Sequence, residues 1–172
     1  MDDRIQHHDD ELEASSALCD AALAERAIDI ARPMLERAVA DERLGKSGYL
    51  HLVIMNPGCP PAYCAFEEAI LREWTCGDPG GQPELYRRLA REKARLSWLH
   101  GLDTQLLQMR RAHVLSRGDV ALWGSVAVEG IVVAISGLDA WYDEALSGAV
   151  AMCLRGVMKD RLAHERQGGL FH

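Results

Sequence analysis

No apolar run in these 172 residues approaches the roughly 20 that a membrane-spanning helix needs, so no membrane segment is expected. No cleavable apolar segment opens the chain either, which removes the usual signal for export and leads us to expect a cytoplasmic protein. There is no basic stripe to neutralise phosphates, which argues against nucleic acid as a partner. The five cysteines (Cys19, Cys59, Cys64, Cys76 and Cys153) are odd in number, irregularly spaced and without a Cys-x-x-Cys pair. They are expected as reduced thiols, because disulfides need an oxidising compartment. Catalytic signatures are missing as well. The seven histidines form no HExxH, HxxxH or CxxH pattern, so no dedicated metal site is signalled. Ser125 and Ser136 lie in no Gly-x-Ser-x-Gly elbow. Neither Cys59 nor Cys64 has a neighbour that would lower its thiol pKa and make it a nucleophile. The four tryptophans are too scattered to form a stacking platform and read as core or interface anchors.

What is present is an ordinary globular composition, 48% hydrophobic and 26% charged. The length allows one domain that buries about two-thirds of its unfolded surface. The net charge of −7 is concentrated at one end, because residues 1–20 hold seven acids against the single base Arg4. The folded body is therefore near neutral. Residues 1–13 are expected to be an acidic, disordered leader to a single domain spanning 1–172.

The most legible stretch is 120–144. Two β-branched apolar runs meet at Glu129-Gly130, the second stops at Ser136-Gly137, and a helix with an acidic start follows. That pattern predicts strand, tight turn, strand, then a helix over 140–165 capped by Asp139, with Trp141, Ala145, Ala149, Met152 and Leu162 among its buried positions. Upstream, a helix runs from about residue 14 to 44 with a break at Pro33 and a stop at Gly45. Residues 48–55, apolar on both faces, predict a central strand. A second strand follows over 62–70, where Phe66-Glu67-Glu68-Ala69 is equally compatible with helix. The Gly-rich loop Cys76–Gln82 leads into a helix from Pro83 to about His100, with Leu85, Leu89, Leu96 and Leu99 on one face and Gly101 as its cap. Residues 103–117 predict a short helix or extended segment and then a strand near 112–117. The element order is thus α-β-β-α-β-β-β-α, an α+β fold whose antiparallel sheet is covered by helices.

Lys93-Ala94-Arg95 within a helix, the paired strands Gly124 to Gly137 ending in Ser-Gly, and Asp143-Glu144 early in the last helix carry a family likeness. With Gly77-Asp78 ahead of Glu92-Lys93-Ala94-Arg95, and with Ser136-Gly137-Leu138, they make the chain resemble the GlcG/HbpS-like family of haem-binding and haem-degrading proteins, in an uncharacterised branch. The similarity spans roughly residues 25–155. It implies a profilin-like fold, a five-stranded antiparallel sheet flanked by helices. It also implies a small ligand such as haem and a homo-oligomer whose pocket a partner subunit closes. Two departures stand out: Arg117-Gly118-Asp119-Val120 replaces a Gly-Gly-Xaa-Pro turn, and the loop Asn56–Pro61 is rich in proline and carries Cys59.

The candidate ligand-binding residues are Lys93, Ser97, His100, His113 and Glu144, expected around a pocket at a helix–sheet edge. Lys93 would pair with Asp143 or Glu144, meet a ligand carboxylate as a point charge, or simply be a solvated helix-face lysine. His100, at a helix C-terminus, and His113, at the start of the expected strand, are the candidate haem histidines, although the helix dipole alone accounts for the first. Asp143 and Glu144 fit the first turn of a helix without any ligand. His51, mid-strand, reads as a satisfied core histidine, and His7-His8 as part of the leader. The loop Gly77–Gly81 lacks the spacing of a phosphate loop. These residues point to a ligand-binding protein with a sensing, storage or accessory role. A ligand-free interaction module is the alternative, and a small-metabolite enzyme comes last.

Overall fold

The computed structural model describes residues 19–168; the leader, His7, His8 and His172 lie outside the described residues. Helix α1 (Ala21–Val39) is capped by Asp20, whose side chain accepts from the Leu23 amide. Its buried residues Leu23, Ala24, Ala27, Ile28, Ala31, Leu35 and Ala38 recur at three- and four-residue intervals. Pro33 does not break it. The ring removes a hydrogen bond to the carbonyl of Asp29, but both residues are exposed, so that carbonyl is open to solvent.

Strand β1 (Tyr49–Met55) pairs antiparallel with β2 (Ile70–Gly77) on one side and with β4 (Ile131–Ser136) on the other. β3 (Ser125–Val128) completes the sheet against β4, giving the order β2-β1-β4-β3. The hairpin at Glu129-Gly130 is as expected. Both residues have positive φ, 51° and 84°, the requirement of a two-residue turn that matches strand twist. Helix α2 (Pro83–His100) ends at Gly101 in the left-handed conformation, and α3 (Thr104–Arg110) and a short 3₁₀ turn (Ala112–Val114) follow. Helix α4 (Ala140–Gly168) is the last element of the described residues.

Three layers result. Leu50, Leu52, Ile54, Val133 and Ile135 face α1 and α4, while Val53, Met55, Val132 and Ala134 face α2 through Ala90 and Ala94. β1 and β4 are central and covered on both sides, which is why their sequences are apolar throughout.

The α+β class agrees with expectation, but the five-stranded sheet and the α-β-β-α-β-β-β-α order do not. The described residues contain a four-stranded antiparallel sheet, which corrects the profilin-like expectation. The missing strand is the one expected near 112–117. Residues Arg110–His113 are exposed and have no face to bury, and Asp119 organises the segment locally by accepting from the Ser116 amide (2.7 Å) and from Arg95 (2.6 Å). The second strand is also displaced from 62–70 to Ile70–Gly77, because residues 56–69 form turns. Finally, α4 buries Leu146, Ser147, Val150, Ala151, Leu154 and Val157. The expected positions Trp141, Ala145 and Met152 face outward, and Ala149 and Leu162 are half-buried.

Candidate functional site

Lys93 lies on the face of α2 that packs on the sheet and is only 1% exposed. Its Nζ donates to Asp143 Oδ2 and to the carbonyl of Ile135, both at 2.9 Å. Asp143 Oδ1 accepts from the Leu138 amide at 2.9 Å, so one carboxylate fixes both the lysine and the chain entering α4. Gly124 makes the crossing feasible. Its φ is +132°, and a Cβ there would lie 2.6 Å from Lys93 Nζ and 2.8 Å from the Ile135 carbonyl. Burial pushes the Asp143 carboxyl up to about 6 against the opposing pull of Lys93. Burial likewise lowers the Lys93 amine, with Asp143 opposing.

One turn further along α2, Ser97 Oγ lies 2.5 Å from Ser125 Oγ. Ser125 Oγ donates its only proton to the Lys93 carbonyl (2.9 Å), so Ser97 is the donor between the two hydroxyls. The Ser125 amide donates to Thr104 Oγ1, and Ser147 Oγ donates to the Gly124 carbonyl. Every one of these side chains is buried. The cluster ties α2, the start of β3 and α4 together as a closed polar network, and it leaves Lys93 and Ser97 no open side toward a ligand.

The concave site lies at the C-terminal end of α2, immediately beyond Ser97. A groove of about 340 Å³ runs between the end of that helix (Trp98, Gly101), the Pro-rich loop (Asn56, Pro57, Cys59, Pro60) and the β3–β4 hairpin (Ala127, Gly130). Trp98 anchors it, donating from its indole to the Cys59 carbonyl at 2.8 Å and packing against Phe66 with ring centroids 5.9 Å apart. Cys59 is bonded to Cys64 in a disulfide, which corrects the expectation of five reduced thiols; Cys19, Cys76 and Cys153 are free. The volume lies at the small end of the about 300–1,000 Å³ typical of ligand pockets, and the lining is largely apolar with Asn56 and Glu129 as polar groups. A wider depression over Arg87, Arg88 and Arg91 is less suited to a ligand, because its guanidiniums already pair with Glu73, Glu67 and Glu92.

The five expected ligand residues do not converge on the groove. Lys93 and Ser97 are interior. His100 is half-buried at the end of α2, one residue before the lining Gly101. His113 is exposed in the 3₁₀ turn. Glu144 is half-buried on α4 with Oε2 shielded and without a hydrogen-bond partner; burial, and then the charge of Asp103, raise its carboxyl. His51 is buried, and its partner is the Glu73 carboxylate at 2.7 Å rather than the backbone. Burial lowers the His51 imidazole although that hydrogen bond opposes it. Among the described residues no group of three or more His, Cys, Asp or Glu is placed to hold a metal.

Haem iron needs a histidine, thiolate, methionine or tyrosine. The groove residues supply none of these, since Cys59 is in the disulfide, so they do not fit an axially ligated haem. The groove escaped the sequence reading because its parts lie far apart in the chain. One signal was available, Cys59 and Cys64 five residues apart within a proline-rich loop. The chain matches no family model and no curated protein. Among the described residues no helix is long and apolar enough to cross a membrane.

Proposed function

We propose that this chain is a small-ligand-binding protein with a sensing, storage or accessory role, and that the groove at Trp98 takes a flat, largely apolar molecule. The observation that carries this reading is the indole of Trp98, fixed by the Cys59 carbonyl and presented to a concave surface of proline, alanine and glycine. An aromatic wall held by a polar anchor favours stacking, while the Asn56 amide group, whose Oδ1 also accepts from the Gly58 amide, is the polar group left to orient substituents, Glu129 being paired with Arg155. The resemblance to haem-binding proteins points to the same ligand shape, and hemin is therefore one probe, here without an axial ligand from the lining. Titration with hemin and with the dye 8-anilinonaphthalene-1-sulfonate, read by Trp fluorescence quenching, is expected to saturate at one site per chain. Filling the groove by Ala127→Trp is expected to abolish that binding while leaving the fold intact. Equal binding by the filled variant would refute the assignment.

Self-association is part of the proposal. Trp141 is 57% exposed and Leu122 42%, and together with Ala121, Trp123 and Ala140 they border a shallow apolar depression of about 170 Å³. That same surface favours the second reading, an interaction module that needs no ligand. Light scattering over a range of concentrations separates them: Trp141→Glu is expected to shift an oligomer to monomer under the first reading. We also place the protein in the cytoplasm, where the Cys59–Cys64 bond is of the exceptional, transient kind.

A further inference from the structure

We propose that Cys59–Cys64 is a thiol–disulfide switch that sets the shape of the Trp98 groove, with a cellular dithiol as its reductant. This inference rests on the ligand-binding reading and adds its regulation. The loop that carries the pair is closed at its base, where the Asn56 amide donates to the Ala69 carbonyl at 2.7 Å. Above that base, the disulfide bridges Cys59, whose carbonyl receives the Trp98 indole, and Cys64, which leads to Phe66 on the same ring. The bond therefore fixes the wall that the ligand meets, and both cysteines are half-exposed.

The other thiols are poor competitors for this chemistry. Cys19 is buried and its thiol is pushed up to about 11, chiefly by burial, and burial raises Cys76 and Cys153 as well. A redox change is thus confined to one place. In a reducing compartment, a disulfide is most often a transient, redox-sensing one.

One thiolate of the dithiol attacks a sulfur of the pair, the Cys59–Cys64 bond breaks, and the departing thiolate takes a proton. The second thiol of the reductant, deprotonated, then attacks the mixed disulfide and releases the other cysteine, which is protonated in turn. The protein gains two electrons and two protons, and the dithiol becomes a cyclic disulfide. The loop above Asn56–Ala69 then loses its cross-link, and the groove wall loses its preorganisation.

The test uses the full chain, oxidised and then reduced with dithiothreitol. Thiol titration under denaturing conditions is expected to give three thiols before reduction, Cys19, Cys76 and Cys153, and all five after it. Reduction is expected to shift Trp emission reversibly, to weaken binding of 8-anilinonaphthalene-1-sulfonate about tenfold, and to produce no emission shift in Trp98→Phe; hemin is left out of this arm because reduction frees Cys59 as an iron ligand. Cys59→Ser with Cys64→Ser should bind as the reduced protein does and ignore the reductant. Five thiols in protein purified without reductant would overturn the switch, as would reduction that leaves both emission and affinity unchanged. If the oxidised protein binds neither probe, the ligand reading fails by itself. The switch is then decided by Trp98 emission alone: a reversible shift upholds it and an unchanged spectrum ends it.

Discussion

Lys93 gives the clearest case of one residue serving several elements. An ammonium removed from water costs several kcal/mol, and here the cost is offset by Asp143 and the Ile135 carbonyl. Removing either partner alone leaves a buried charge without its counterion. At pH 7 Lys93→Met is expected to destabilise the fold by up to about 3–5 kcal/mol and Asp143→Leu similarly, less whatever the remaining partner recovers by neutralising, which burial already favours for both. The double variant, in which both charges give way to apolar groups, is expected to recover most of the loss or exceed the wild type. Urea unfolding of the four proteins checks this, and additive losses in the double variant would mean that the two residues are not energetically coupled. The pairing of Lys93 with an acid was readable from the sequence as one of three alternatives. Its burial was not, because it depends on Gly124 clearing a path from α2 to α4, a tertiary relation with no local signature. Ser97 lies beside the Lys93-Ala94-Arg95 segment, but its partner Ser125 is 28 residues away, beyond any local signal.

At the scale of elements, local chemistry decided what was legible. The β3–β4 hairpin is specified by its two turn residues, and Gly130 (φ 84°) has nothing within 4 Å of where a Cβ would stand. Gly130→Ala therefore meets no clash, and its cost is the left-handed backbone alone, about 1–2 kcal/mol. Gly130→Asn should lose less, since asparagine tolerates that conformation. Comparison of their urea midpoints with the wild type tests whether the turn, rather than contacts, sets the price. Strand β1 and the cap of α2 were legible for the same local reasons. β2 was hidden because it is an edge strand whose Arg72 and Glu73 face partners on α1 and α2, so its charges resemble those of a loop. On α4 the buried face runs through Leu146, Ser147, Val150, Ala151, Leu154 and Val157, so that Trp141, Ala145 and Met152, expected inside, lie on the solvent side; which face of an amphipathic helix meets the sheet is a tertiary relation.

At the scale of the whole molecule, the two buried titrating sites, both reached from α2, act in opposite directions with pH. Asp143, at the junction of β4 and α4, has its carboxyl raised to about 6, whereas in the unfolded chain it titrates near 4. The folded state holds that proton longer, so this contribution to stability is full below about pH 4 and is lost as pH rises through about 6. His51, on the α2 side of β1, has its imidazole lowered by burial, against the opposing hydrogen bond to Glu73. The unfolded chain takes up that proton first, so the His51 contribution is full above about pH 6.5 and is lost as pH falls through its lowered value. Over the mildly acidic range the two slopes partly cancel, and the wild-type curve is flatter there than either site alone would make it. Urea midpoints between pH 4 and 8 separate them by difference. Lys93→Met with Asp143→Leu removes the falling leg, so its stability is expected to climb more steeply with pH than the wild type. His51→Gln leaves Glu73 paired with Arg87 and Arg91, removes the rising leg, and should instead decline from pH 4 to 6 relative to wild type. Parallel curves for all three proteins would show that neither group changes its proton affinity on folding. Opposite tilts would establish that the two sites carry protonation costs of opposite sign, balanced only when both are present.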